Sequence, residues 1–379
     1  MTKTSKAGCG IAASLMMTAA ASAQVEVEVS IIGGVEMGNL VQHLFVFTDG
    51  SHDANWQGAT KGFAGDVAVR GLLARERTSG GVPFGGTIYS DDSTLNDWQD
   101  IVDQNPGQAA AATGEVARLD QLSADLQHAV AQIEALPATP GFESRTPESL
   151  DGLNTQNRIA EVFVINVTSD LKVSSQITIT GDATDAFFLR WDEDANPANG
   201  YQGQVKFQSG GAIIPGGALT PGNFVHLAGD INASGGGSTP PAPFPQGPRD
   251  DDGQGGLISG GNDFSGGGFF TGFWLTTGDP SDGDTSSLSN GIFVGGWFTS
   301  SDKFSLTSGT SGVFVQPNPA LCPGDFNADG VVNSLDWMAF LNAWNAEDPA
   351  ADFNKDGVWN ILDLLVWGNR FEDAWYGRC

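Results

Sequence analysis

The pattern of apolar and polar residues differs between three parts of the chain: a long region of short apolar runs, one helical segment within that region, and a C-terminal repeat. Over residues 24–315 the apolar residues form short runs bounded by Gly, Asn, Ser and Thr, such as Gln176–Thr180, Ala186–Trp191 and Gly291–Phe298. Short runs rich in Phe, Val, Ile and Trp predict β-strands that are separated by turns. We therefore expect a large, mainly β domain over residues 24–315, built as a solenoid or as a sandwich.

One segment inside this region has helical periodicity. Its apolar side chains recur at three- and four-residue steps: Leu119, Leu122, Leu126, Val130 and Ile133. This pattern predicts one amphipathic helix over about residues 107–136, which the prolines at 137 and 140 end. A lone helix in a β-rich domain has to lay its apolar face on a sheet. The Gly- and Pro-rich stretch 234–268 is predicted to be a flexible loop.

The last sixty or so residues contain a duplicated motif. The segment C-P-G-D-F-N-A-D-G-V-V-N-S-L-D-W begins at Cys322 and recurs as A-D-F-N-K-D-G-V-W-N-I-L-D-L-L. The constant offset of 27 residues aligns Asp325 with Asp352, and each copy reads D-x-N-x-D-G-x-x-N-x-x-D. An amphipathic stretch follows each copy, which predicts a loop and then a helix, twice.

The spacing of each copy is that of a twelve-residue calcium loop, because Ca²⁺ takes six to eight oxygen ligands from such positions. A glycine at position 6 of each loop allows the chain to turn round the ion. The predicted ligands, with the two valines acting through their carbonyls, are Asp325, Asn327, Asp329, Val331, Asn333 and Asp336 in the first copy and Asp352, Asn354, Asp356, Val358, Asn360 and Asp363 in the second. We expect two Ca²⁺ ions; the alternative is a decayed duplicate that binds no metal.

This duplicated loop–helix unit, which is half of a helix–loop–helix EF-hand, extends from about Pro317 to Cys379 and resembles a type I dockerin. The resemblance implies a small all-α module over residues 316–379 that binds two calcium ions and presents a helix face to a cohesin-like domain. The recognition positions that it implies are Ser334–Leu335 and Ile361–Leu362. Dockerins often carry a hydroxyl pair at these positions, and the second copy departs from that pattern.

The first 23 residues have the features of a signal peptide. Two lysines precede a short apolar run over Ile11–Ala20, and the small residues at 21–23 fit a cleavage site. The alternative is a buried N-terminal helix. The leader predicts export, and no later segment is apolar over enough residues to cross a bilayer, so we expect a secreted or cell-surface protein.

The net charge excludes two classes of binding partner, and the cysteine positions suggest a disulfide. The chain has 45 acidic and 17 basic residues and a formal net charge of −28, which excludes binding to nucleic acid or to an anionic membrane. Outside the leader, the cysteines are Cys322 and Cys379, which bracket the C-terminal module. In an oxidising compartment they are predicted to form a disulfide; two free thiols are the alternative.

The large domain resembles a group of bacterial secreted domains called choice-of-anchor A. The resembling segments are His43–Gly50, Gly65–Gly71, the helical Leu122–Leu126 and the strand Glu161–Val167. The order of parts is also similar to ice-binding-type β-solenoids, in which a long helix packs along stacked coils. The resemblance implies surface adhesion, and because no catalytic motif stands out we expect a non-catalytic binding, adhesion or structural domain, with a surface polysaccharide as a further partner.

No catalytic motif stands out upstream of the module. The four histidines lack metal-ligand spacing, and no nucleophile motif is present. By residue type alone, Asp185, Asp192, Glu193 and Asp194 are candidates for glycosidase carboxylates. A dockerin-bearing polysaccharide-degrading enzyme is therefore the alternative function. Adhesion to ice or mineral would need a regular T-x-T array, which this sequence lacks.

Overall fold

A computed structural model describes residues 30–48, 54–57, 62–70, 73–76, 84–92, 99–156, 162–169, 171–192, 203–208, 211–234, 269–277, 286–288, 292–300, 304–306, 311–317, 324–327, 332–353 and 358–375. The elements of the first part of the chain are β1 (Ser30–Ile32), β2 (Val35–Gly38), β3 (Phe45–Phe47), β4 (Ala54–Gln57), β5 (Gly62–Ala64), β6 (Val67–Val69), β7 (Leu73–Glu76), β8 (Phe84–Ser90), α1 (Gln99–Gln104), β9 (Ala109–Ala112) and α2 (Val116–Ala135).

After α2 the chain is again built from short strands. They are β10 (Leu153–Asn154), β11 (Val162–Thr168), β12 (Lys172–Val173), β13 (Gln176–Gly181), β14 (Ala186–Asp192), β15 (Gln204–Gln208), β16 (Ala212–Gly217), β17 (Phe224–Ala228), β18 (Asp230–Ser234), β19 (Phe269–Thr276), β20 (Ser286–Leu288), β21 (Ile292–Thr299), β22 (Phe304–Leu306) and β23 (Ser311–Phe314). Two helices follow, α3 (Ser334–Asn345) and α4 (Ile361–Trp375).

The strands β3 to β23 form three parallel ladders, which are the faces of a solenoid. The first face runs β10-β13-β16-β19-β21-β23-β5-β8-β9, the second β11-β14-β17-β19-β21-β3-β6-β8, and the third β12-β15-β18-β20-β22-β4-β7. The strands β19, β21 and β8 belong to both the first and the second face. This stacking of parallel coils confirms a mainly β fold and decides for the solenoid over the sandwich.

The order of the coils does not follow the order of the chain. Strand β23, from the C-terminal end of the domain, lies between β21 and β5, with Val313 in register with Val294 and with Ala64. Strand β3, from the N-terminal end, lies between β21 and β6. One coil is thus assembled from two segments that are far apart in sequence, and it joins the N-terminal coils to the C-terminal coils.

A glycine at the corner between the first two faces makes this junction possible. Gly65 has a φ of +141°, and a Cβ on it would lie 2.6 Å from the Cβ of Phe314 and 2.9 Å from the Cβ of Leu44. Phe314 ends β23, and Leu44 precedes β3. Only a residue without a side chain allows the two segments to approach the corner this closely.

Helix α2 covers the outer side of the second face. Its residues Leu119, Leu122, Leu126, Ala129 and Ile133 are buried against strand residues that include Val164, Phe188, Leu227 and Phe298. The opposite side of the same strands points into the solenoid, where Phe163, Phe187 and Trp191 belong to the main core. Because both sides of this face are covered, all seven residues of β14 are buried.

A buried arginine fixes the end of α2. The guanidinium of Arg190, on β14, donates hydrogen bonds to the carbonyls of Ile133 (3.2 Å), Glu134 (3.1 Å) and Leu136 (2.8 Å). Its Nε donates to Oδ1 of Asn166 at 2.8 Å. The positive charge therefore lies at the negative end of the helix dipole and supplies a donor to carbonyls of the last turn, of which that of Ile133 also accepts from the N–H of Leu136.

The helix differs from its predicted start. It begins at Val116 rather than near residue 107, because Ala109–Ala112 forms β9 and pairs with β8. Neighbouring strands have here overridden the helical preference of four alanines. The predicted signal peptide 1–23 and residues 235–268 of the predicted loop lie outside the described residues, as do Cys322 and Cys379.

The C-terminal module has its own small aromatic core. Phe340 of α3 and Trp367 of α4 are fully buried and stack with ring centroids 4.1 Å apart. Phe326 and Phe353, at position 2 of the two predicted loops, lie against this pair and against each other. In the described part of the chain, no helix is long and apolar enough to cross a membrane.

Candidate functional site

The first predicted calcium loop is closed by Asp336. Its side chain is fully buried, and its carboxylate accepts hydrogen bonds from the backbone N–H of Asn327 (3.1 Å) and of Asn333 (2.8 Å). The Oδ1 of Asn333 accepts in turn from the N–H of Leu335 at 2.7 Å. The two side chains form a capping box, so positions 9 and 12 of the loop are also the N-cap and N3 of α3.

The second loop repeats this geometry. Asp363 is fully buried and accepts from the N–H of Asn360 at 2.8 Å, while the Oδ1 of Asn360 accepts from the N–H of Leu362 at 2.8 Å. The Nδ2 of Asn360 donates to the carbonyl of Val358 at 2.9 Å, which draws two predicted ligands together. The two copies therefore agree in hydrogen bonding as well as in sequence.

The arrangement suits a hard cation. A carboxylate that is removed from water needs compensating partners, and here the backbone N–H groups and the helix N-terminus supply them. The same hydrogen bonds hold the short position-12 Asp at the base of its loop. Asp325 is also largely buried. The residues present thus fit Ca²⁺, which prefers carboxylate and amide oxygens.

The structure describes only some of the remaining predicted ligands. Asp352 is described, whereas Asp329, Val331, Asn354 and Asp356 lie outside the described residues. Where the chain is described, no three His, Cys, Asp or Glu side chains are grouped so as to hold a metal. The described part of each loop contains only two of its three predicted aspartates.

The two loops are linked to each other through the module core. Phe326 and Phe353 follow the first aspartate of each loop, and their ring centroids are 6.2 Å apart. The indole Nε1 of Trp359 donates to the carbonyl of Asp348 at 2.7 Å, which ties the second loop to the segment between the helices. The sequence signal for this link was the repeated Phe at position 2, which the calcium spacing alone does not use.

The predicted recognition residues lie on the surface. Ser334 and Leu335 begin α3, Ile361 and Leu362 begin α4, and all four are exposed. Sequence reasoning missed three apolar residues that are exposed beside them: Met338, Val358 and Leu365. For Met338 and Leu365, the helical spacing from the recognition positions is the signal that could have found them; Val358 precedes α4 and has no such signal.

The structure does not bring together Asp185 and Asp192, the two candidate carboxylates of the large domain that it describes. Asp185 and Asp192 stand at opposite ends of β14, seven residues apart, which is roughly 23 Å along a strand. Glycosidase pairs are about 5–10 Å apart. Asp185 accepts from Oγ1 of Thr155 (2.8 Å) and from the N–H of Asp182 (2.9 Å), which is a structural role. Glu193 and Asp194 lie outside the described residues.

Two histidines of the large domain are buried in its structure. His226 stacks on Trp274 with ring centroids 4.0 Å apart and accepts from the indole N–H of Trp191 at 3.2 Å. Burial lowers the pKa of His226 to about 3. Burial also lowers the pKa of His43, whose Nδ1 lies 2.9 Å from the carbonyl of Asn39. Both imidazoles are packing residues of the solenoid.

Several solved structures are similar to this chain. An ice-binding protein from the ascomycete Antarctomyces psychrotrophicus is 14% identical, with 75% of this chain and 98% of that chain covered and a TM-score of 0.41. An ice-binding protein DUF3494 domain from Shewanella frigidimarina is 13% identical over the same shares, with a TM-score of 0.41. A glycosylated ice-binding protein from an Arctic yeast is 11% identical over 74% and 94%, with a TM-score of 0.40.

The family of the C-terminal module is established separately. No curated protein matches the chain. Residues 323–372 match the family model of the dockerin type I domain, which confirms the family predicted for this segment from its two calcium-type loops.

Proposed function

We propose that this is a secreted calcium-binding protein whose C-terminal module docks to a cohesin-like domain. The large solenoid is, in this proposal, a non-catalytic binding, adhesion or structural domain. The observation that carries the proposal is the repetition, in both copies, of a buried position-12 aspartate held by the N–H of a position-9 asparagine. The dockerin family of the segment supports the cohesin-like partner.

Calcium has a defined task in this scheme. Each loop carries three aspartates, and two Ca²⁺ ions would neutralise the charge that these side chains concentrate at the two helix starts. In each loop, position 9 caps the helix and position 12 would ligate the ion. Metal binding and helix formation would therefore stabilise each other. A disulfide between Cys322 and Cys379 would tie the ends of the module.

The docking proposal is tested with the full chain and immobilised type I cohesin domains. We expect capture in 2 mM CaCl₂ and release in chelator. Asp336→Asn should weaken calcium-dependent capture by about 10-fold or more, because it removes one charged ligand. Asp348→Asn is the matched control, since Asp348 is exposed and outside both predicted ligand sets. If neither chelator nor Asp336→Asn changes the amount of chain that is captured, the proposal is contradicted.

The alternative function is polysaccharide degradation. It is tested by incubating the purified chain with a panel of glycans and measuring reducing ends. The proposal predicts no turnover. Turnover that Asp192→Ala abolishes and Asp185→Asn preserves would establish the enzyme instead.

A further inference from the structure

The C-terminal module carries nearly all of the exposed large apolar side chains in the described part of the chain. Seven of eight lie there, and only Val116 lies in the solenoid domain. Six of the seven are between 51% and 60% exposed, and they cluster at the starts of α3 and α4. Clustered apolar exposure of this kind marks a surface that another molecule covers.

The two helix starts are not equivalent. We define the α3 patch as Ser334, Leu335 and Met338, and the α4 patch as Ile361, Leu362 and Leu365, which are the same three positions 27 residues later. The α4 patch is wholly aliphatic, and Val358 beside it is 57% exposed. The equivalent of Val358 in the first copy, Val331, lies outside the described residues.

The difference between the patches is a change from hydroxyl to hydrocarbon. Ser334 offers a hydrogen-bonding group where Ile361 offers a branched aliphatic side chain. Next to the α3 patch, Trp337 is 36% exposed and packs on Trp367 and Phe371, so it is engaged in the module core. The α4 patch therefore offers the larger continuous aliphatic surface.

Both patches lack exposed charge. Between residues 333 and 346 the only charged residue is Asp336, and between residues 358 and 368 it is Asp363; both are fully buried. This is unusual in a chain with a net charge of −28. A surface without charge complements an apolar surface and not a basic one.

We propose that the module docks mainly through the α4 patch, to a cohesin-like domain whose receiving surface is aliphatic and uncharged. This inference rests on the proposed docking function and adds its orientation and the chemistry of the partner. The α3 patch then lies at the rim or outside the interface. Docking of this kind is driven by burial of apolar area and depends little on ionic strength.

The test compares matched double variants of the two copies. Leu362→Ala/Leu365→Ala truncates the α4 patch, and Leu335→Ala/Met338→Ala truncates the same positions of the α3 patch. Binding of the full chain to a panel of purified type I cohesin domains is measured by biolayer interferometry in 2 mM CaCl₂. We expect the α4 variant to lose about 50-fold or more in affinity and the α3 variant less than about 3-fold. Raising NaCl from 0.05 to 0.5 M should change wild-type affinity by less than about 2-fold.

Other outcomes separate the possible failures. Equal losses in both variants, or a larger loss in the α3 variant, overturn this inference while the docking function stands. A wild-type chain that binds no cohesin domain in calcium overturns the docking function and this inference with it. A concentration-dependent dimer in sedimentation velocity that the α4 variant abolishes assigns the patch to a second copy and also overturns the inference. Circular dichroism at 222 nm checks that both variants, whose new residues are strong helix formers, remain folded.

Discussion

At the scale of single residues, burial in the solenoid core changes the pKa of an ionisable group, the imidazole of His226. The imidazole is enclosed by Trp191 and Trp274, and burial lowers its pKa from 6.5 to about 3. In the unfolded chain it titrates near 6.5. Between these two pH values only the unfolded state binds the proton, so the free energy of unfolding falls as the pH falls from about 6.5 towards 3.

Replacing His226 by Phe should remove this part of the pH dependence. Between pH 7.5 and 4.5 the wild-type chain should lose about 2–3 kcal/mol more stability than His226→Phe, measured by urea unfolding in calcium. The variant should be less stable at pH 7.5, by about 1–2 kcal/mol, because the Trp191 indole loses its acceptor. Parallel slopes for wild type and His226→Phe would show that the imidazole is not a buried neutral group.

At the scale of elements, α2 depends on a hydrogen-bonded end as well as on an apolar face. The Arg190 guanidinium donates through Nη1 to three carbonyls at the C-terminus of α2, those of Ile133, Glu134 and Leu136. The same logic appears at the starts of α3 and α4, where loop residues 333 and 360 accept from the helix N–H groups. In each case a side chain outside the helix completes its backbone hydrogen bonding.

We predict that Arg190→Leu destabilises the solenoid domain by about 3 kcal/mol, because it removes a buried donor that three carbonyls at the end of α2 share. Arg145→Leu is the comparison, since the Arg145 guanidinium also donates to a backbone carbonyl, that of Gly141, but on the surface. That variant should lose less than about 1 kcal/mol. Urea unfolding followed by tryptophan fluorescence measures both; losses of equal size would contradict the assigned role of Arg190.

At the scale of the whole molecule, the solenoid is held together by the coil that its two ends share. Gly65→Ala should cost about 3 kcal/mol or more, because the new Cβ would meet Phe314 and Leu44 where the N-terminal and C-terminal coils join. Gly34→Ala is matched in having a positive φ, +85°, but has no atom within 4 Å of the new Cβ. It should cost only about 1 kcal/mol of backbone strain. If the two variants are equally stable in thermal unfolding, the junction does not hold the domain.

The sequence predicted those features that depend on spacing within one segment. The calcium-type loops, the helix face of α2 and the strand runs around Val162–Thr168 all have local periods of their own. The order of the coils could not be predicted, because β23 and β5 have only four and three residues, and nothing local specifies that they pair. For β14, the sequence does not predict which side chains face the interior of the solenoid. Both sides of this strand are buried, so its residues do not alternate between apolar and polar. The exposed apolar residues of α3 and α4 beside the recognition positions have the helical spacing of a core face, so spacing alone does not distinguish an exposed face from a buried one there.

The proposed docking depends on two calcium ions bound by the two loops of the C-terminal module, and titration calorimetry of the purified full chain counts these ions. We predict two Ca²⁺ per chain for the wild type, one for the chain with Asp363→Ala in the second loop, and one for the chain with Asp336→Ala in the first. Absence of calcium uptake by the wild-type chain, or a stoichiometry of two that persists in both variants, would contradict this prediction.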